Sequence, residues 1–237
     1  MKITQLIRTG TLALVAVLSG LCVNAQSSRN VTIKSFSSIG VSSGIDLYLT
    51  QGTSESLTIK GENDLIKDVV IEQNGANLSI KFKEGINWGK LFKNQSIKVY
   101  VNFKTLKAIA ASGGSDVFTQ NTIQTDVLNI AASGGADLTL TLNCKDLQVA
   151  ISGGADLSLK GSGENMIVTA SGGADVDAFG FTANYARVTA SGGADVNINV
   201  VKGIEAGASG GADISYKGSG VLKKTNSSKS GDVRHVN

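Results

Sequence analysis

Apolar and polar residues alternate along most of this chain, and from residue 128 onward they keep one phase. Leu128, Ile130 and Ala132 run into a turn, and Leu138, Leu140 and Leu142 run out of it. Leu147, Val149 and Ile151 then lead into the next turn, with Leu157 and Leu159 beyond it. The same parity carries through Met166, Val168, Ala170 and Val176, through Val188, Ala190, Val196 and Ile198, and through Ala206, Ala208, Ile214 and Tyr216. A period of two is the signature of a strand with one buried face.

What separates these strands is a single motif, Ser-Gly-Gly-Ala/Ser-Asp followed by a branched aliphatic residue. Its copies begin at 112, 133, 152, 171, 191 and 209, spaced by 21, 19, 19, 20 and 18 residues. A worn copy, Ser43-Gly44-Ile45-Asp46-Leu47, stands far upstream. Gly-Gly supplies backbone that other residues avoid, so the chain can turn sharply there. Self-similarity at this period predicts stacked coils. An antiparallel meander would explain the alternation but would not need the same motif at the same phase. A parallel β-helix does need it, because equivalent residues lie above one another at about 4.8 Å. The expected fold is therefore all-β: a single-stranded right-handed parallel β-helix of about 20 residues per coil, the hand following the general preference for right-handed parallel connections. Each coil is expected to hold two strands of about six residues.

Before residue 105 the strands alternate without repeating. Val31, Ile33 and Phe36, then 42–50, 57–60, 69–72, 78–82 and 97–103 read as strands divided by turn-rich segments. Residues 26–104 are thus expected to form irregular N-terminal rungs that shield one end of the stack. Residues 105–220 form the repeats, and 221–237 a polar C-terminal tail. The 83–94 segment holds the only tryptophan, Trp88, with Phe92 among lysines. It reads either as a cover for the sheet edge or as a binding loop in which Trp88 and Phe92 stack on a ligand.

Composition narrows the function classes. There are 29 glycines and no proline, which suits repeated tight turns rather than a disordered linker. Residues 1–25 read as an export signal: Lys2 and Arg8 precede a short apolar run, and Val23-Asn24-Ala25 offers small residues for cleavage. Cys22 raises a lipoprotein alternative, to which Leu21 is a poor fit. Without Lys2 and Arg8, 22 basic residues become 20 against 19 acidic ones. That balance gives no electrostatic case for nucleic acid. No transmembrane segment is expected after cleavage, and the chain is expected to be exported to the periplasm, the outer-membrane surface or beyond. Cys144 is then left without an intrachain partner and reads as a small filler at a coil corner.

Asp116, Asp137, Asp156, Asp175, Asp195 and Asp213 share one phase, so a β-helix lines them up. Like charges about 5 Å apart repel by about 1 kcal/mol in water. The turn's own amides and serine hydroxyls are the expected partners, and calcium between coils is the alternative. A catalytic reading is disfavoured, because a glycosidase needs two carboxyls in different roles, while a periodic column makes them equivalent. No Ser-His-Asp set, zinc-ligand spacing or phosphate loop is present, so no enzyme activity and no catalytic residue are expected.

With its export signal, alternating N-terminal strands and recurrent Ala-Ser-Gly-Gly-Ala-Asp-Val units, the chain resembles, over roughly residues 36–220, a family common in Bacteroidetes. That family is the putative auto-transporter adhesin, head GIN domain; Gly85-Ile86-Asn87 occurs here as well. The resemblance implies a β-helical fold at the periplasm or cell surface and brings no catalytic residues. The expected function is an exported, non-enzymatic binding or adhesion scaffold for glycan or protein. A carbohydrate-active enzyme on a β-helix, and a purely structural envelope protein that forms homo-oligomers, are the alternatives.

Overall fold

The computed structural model describes residues 27–85, 96–225 and 230–237. The chain forms a β-solenoid of about six turns of roughly 19 residues each. Its regular part comprises β10 (Ile123–Ser133), β11 (Asp137–Gly153), β12 (Asp156–Gly172), β13 (Asp175–Gly192) and β14 (Asp195–Ser209), all paired in parallel. Register partners are the repeat partners: Asp137 sits beside Asp156, Leu138 beside Leu157 and Ser152 beside Ser171. Vertical columns of apolar side chains follow, such as Leu138–Leu157–Val176–Val196–Ile214, each member almost fully buried. Removing a side chain of this kind from water contributes about 1.5–3 kcal/mol.

Each coil is one bent strand rather than two short ones. β11 and β12 have 17 residues and β13 has 18. The strand runs on round the far corner, where Asn143, Cys144 and Asp146 pair with Ser162, Gly163 and Asn165. The corner opposite is the Ser-Gly-Gly-Ala-Asp turn. There the second glycine donates its N–H to the first glycine's carbonyl one coil back, as Gly173 does to Gly153 O at 2.8 Å. The alanines at 136, 155, 174, 194 and 212 are fully buried inside that corner.

The N-terminal third is threaded out of sequence. β2 (Ser38–Val41) and β3 (Ile45–Gln51) make one coil, β6 (Asn77–Phe82) and β7 (Ile97–Phe103) a second, and β8 (Ala108–Ser112) and β9 (Asp116–Thr119) a third. β3 pairs in parallel with both β7 and β9, and β2 with both β6 and β8. The first coil in sequence therefore lies between the second and the third. Beyond the second coil the end of the stack is closed by antiparallel pairing: β4 (Ser56–Gly61) on β7, β1 (Ser27–Val31) on β4, and β5 (Val69–Asn74) on β6. A short helix, α1 (Asn63–Ile66), buries Leu65 and Ile66 against this cap. The worn turn at 42–46 thus stacks directly under the first clean one, and the residues between them in sequence have gone to build the cap.

Gln51 holds this crossing together. Its Nε2 donates to the carbonyls of Lys104 and Gln124, both at 3.0 Å, and its Oε1 accepts from Gln124 N–H at 2.7 Å. Its backbone N–H and carbonyl are met by the side-chain amide of Asn121, each at 2.9 Å.

The C-terminal residues differ from the expected tail. β15 (Asp213–Lys217) continues one face of the stack, and β17 (Asp232–His235) pairs beside it; β16 (Val221–Thr225) continues the other face on β14. Sequence periodicity reaches β15 through Ile214 and Tyr216 but not β16 and β17, because the linking residues lack the Gly-Gly turn, although Asp232 and Val233 keep the phase of Asp213 and Ile214.

Candidate functional site

The repeat aspartates do form one column at the glycine corner, and the structure lengthens it. Asp213 is followed by Asp232, and the pairing of Leu47 with Val117 places Asp46 beside Asp116. Each backbone is pinned, as where Asp156 N–H donates to Ala136 O at 3.0 Å, while the carboxylates of Asp137, Asp156, Asp175 and Asp195 face solvent. The expected serine and amide partners are not there: among the described residues no hydrogen bond reaches the six repeat carboxylates. The turn amides are already committed to the coil below. Burial raises the Asp116 carboxyl above its ordinary value, with Asp46 and Asp137 adding to the rise. Burial raises Asp46 too, against the pull of Ser96 and Lys98. Among the described residues no three His, Cys, Asp or Glu side chains converge on a common point. A cation between coils would draw on neighbouring carboxylates and take the rest of its oxygen shell from water.

Trp88 and Phe92 lie outside the described residues. The aromatic groups that the structure does place are others. Tyr48 stacks on Tyr100 at 4.9 Å and on Phe118 at 5.2 Å, nearly parallel to both. Lys60 Nζ covers the Tyr100 ring at 4.8 Å. Because these rings present their faces to one another, they leave edges rather than faces for a ligand, so the stack is a stabilising ladder. It was invisible in sequence because only the interleaved coil brings residues 100, 48 and 118 together.

A different aromatic residue is partly exposed and lies outside that stack. Tyr185, 42% exposed, lies in a column with Asn165, Gly203 and Val221. It borders a hollow of about 290 Å³ shared with Ile167, Arg187, Glu205 and Lys223. Lys223 Nζ stands 5.2 Å and Lys202 Nζ 5.6 Å from the Tyr185 ring centre. Arg187 pairs with Glu205 at 2.9 Å. Periodicity does not mark this cluster, since its members sit at outward positions that the repeat leaves free to vary.

Cys144 is half-buried at the far corner, as its place between Leu142 and Leu147 predicts, and burial together with Asp146 pushes its thiol up to about 11. Such a thiol is not a nucleophile at neutral pH.

The profile of the family described as putative auto-transporter adhesin, head GIN domain, matches residues 35–220. The chain belongs to that family. Among solved structures, a putative adhesin from Bacteroides fragilis is 24% identical, with a TM-score of 0.80 over 90% of this chain and 98% of that one. A putative lipid binding protein from Parabacteroides distasonis is 16% identical, with a TM-score of 0.71 over 90% and 97% of the two chains. A putative adhesin from Parabacteroides merdae is 21% identical, with a TM-score of 0.67 over 90% and 96%. A comparison with curated proteins finds no match. Among the described residues of this head GIN chain, no helix is long and apolar enough to cross a membrane.

Proposed function

We propose that this head GIN protein is an exported, non-enzymatic adhesion scaffold that presents a rigid β-stack to a glycan or protein at the cell envelope. Family membership over residues 35–220 is the observation that carries the reading. The geometry supports it: continuous hydrogen-bonded ladders hold outward side chains in fixed columns, which suits display rather than chemistry. The export signal read at residues 1–25 supports a location outside the cytoplasm. The test is adhesion of cells lacking the protein, with and without the purified chain coated on beads or restored on a plasmid. Loss of adhesion to a glycan- or protein-coated surface, recovered on restoration, is expected. Unchanged adhesion together with no bead binding would overturn the reading.

A further inference from the structure

We infer that the hollow at Tyr185 is a binding site for an acidic saccharide, a sugar ring bearing a carboxylate or sulfate. The inference rests on the scaffold reading and names its ligand class.

Three features of the local backbone build the hollow. Between Val200 and Gly203 the chain carries one residue more than its partner stretch from Ala183 to Tyr185, a bulge. Both extra-corner residues, Val201 and Lys202, consequently point outward in succession. Bulges re-aim side chains in this way and recur beside functional sites. Directly beside Tyr185 in register is Gly203, which puts no side chain over that ring. Into the space comes the stem of Lys223, whose Cε would stand only 2.8 Å from a Cβ at position 203.

The charges do not balance within the cluster. Arg187 is matched by Glu205, but among the described residues no ion pair reaches Lys202 or Lys223. Two ammonium groups therefore approach one aromatic ring. A cation–π contact at an exposed site contributes about 0.5–1 kcal/mol, no more than is lost to the repulsion of two exposed cations about 5 Å apart. An anion placed between them relieves that repulsion. Apolar surface is at hand as well: Ile167, 45% exposed, lines the hollow with Tyr185, and Val201 and Val221, 37% and 64% exposed, lie outside it on neighbouring stretches of the same coils. A simple inorganic anion uses none of that surface. A pyranose ring does: its C–H face lies on an aromatic or aliphatic side chain, its acidic substituent meets the lysines, and its size suits the hollow.

The test is calorimetric titration of the chain with three probes: an oligogalacturonate, a neutral gluco-oligosaccharide of equal length, and sodium sulfate. The oligogalacturonate is expected to bind at least tenfold tighter than either control and to weaken as salt rises. Lys202→Ala with Lys223→Ala, two surface changes that leave the core intact, is expected to lower its affinity at least tenfold. Tyr185→Ala is expected to do the same, with an unchanged circular-dichroism melt showing that it folds, and Lys107→Ala to have no effect. Oligogalacturonate binding no tighter than sulfate, or equally tight to the lysine variant, would overturn the inference. If cells still adhere through the protein in that case, the scaffold reading stands alone. If the oligosaccharide binds at Tyr185 and adhesion is absent, the inference stands and the scaffold reading falls.

Discussion

Ser115 Oγ accepts the backbone N–H groups of both Gly44, at 3.1 Å, and Ile45, at 3.2 Å, from a coil some 70 residues earlier in the chain. In the other five copies the position is alanine, fully buried, with the neighbouring amides already bonded to the coil below. The serine is needed only where a clean turn meets the worn one, in which Ser43 holds the left-handed conformation that the first glycine holds elsewhere. Ser115→Ala leaves two inward-facing amides without their acceptor, and a loss of about 1–3 kcal/mol is expected. The reciprocal change, Ala155→Ser, buries a hydroxyl where no donor or acceptor is free, with a cost of similar size. Urea unfolding midpoints of both variants check this.

The two glycines of one turn are not equivalent. Gly172 has φ of +77°, and a Cβ there would stand 2.9 Å from Gly153 O. Gly173 has no such φ, and its Cβ would meet Gly153 O at an ordinary 3.8 Å. Gly172→Ala is expected to destabilise by more than the roughly 1–2 kcal/mol of left-handed strain alone. Gly173→Ala is expected to be neutral or to stabilise by up to about 1 kcal/mol through the unfolded chain. Thermal melts of the two single variants, measured side by side, decide it.

How much of this was legible beforehand follows from where each device sits. Leu138, Leu157 and Val176 announce their column because the repeat writes them at one phase, and that gave the fold class and the Asp column. Nothing local announces that Tyr48 lies between Tyr100 and Phe118, because that contact depends on a coil inserted out of order. Tyr185, Lys202 and Lys223 were missed for a different reason. They occupy outward positions, which the buried pattern does not constrain, and a one-residue bulge changes the spacing between them. The proposed hydrogen-bonded aspartate ladder failed because the backbone of neighbouring coils had already taken the turn amides.

Asp116 gives the chain a pH response of known sign. The folded state raises its carboxyl above the ordinary 3.8, through burial first and then Asp46 and Asp137. The folded chain therefore holds that proton more tightly than the unfolded chain. The contribution of Asp116 to stability is greatest below this range, falls as pH climbs from about 3.8 through the folded value, and stays lowered at neutral pH. Asp116→Asn is expected to raise the melting temperature at pH 7 and to leave it nearly unchanged at pH 3. Scanning calorimetry at the two pH values checks both halves.

Cys144 should resist alkylation. With its thiol pushed up to about 11, its thiolate fraction at pH 8 is on the order of a hundredfold below that of an ordinary cysteine. Peptide mapping after timed iodoacetamide treatment is expected to show Cys144 unmodified in the native chain and rapidly labelled in urea.

The order of the first three coils is the claim on which the aligned columns and the end cap depend. Gly40 is the register partner of both Ser79 and Ala110, so it lies between them. In a Cys144→Ala background, cysteine pairs at 40 and 79 and at 40 and 110 are expected to form disulfides under mild oxidation. Their Cα atoms are one strand spacing apart, about 4.8 Å, within disulfide range. A pair at 79 and 110 is separated by two such steps and is expected to stay reduced. A disulfide between 79 and 110, with none between 40 and 110, would mean that the coils stack in the order of the sequence and would contradict this account.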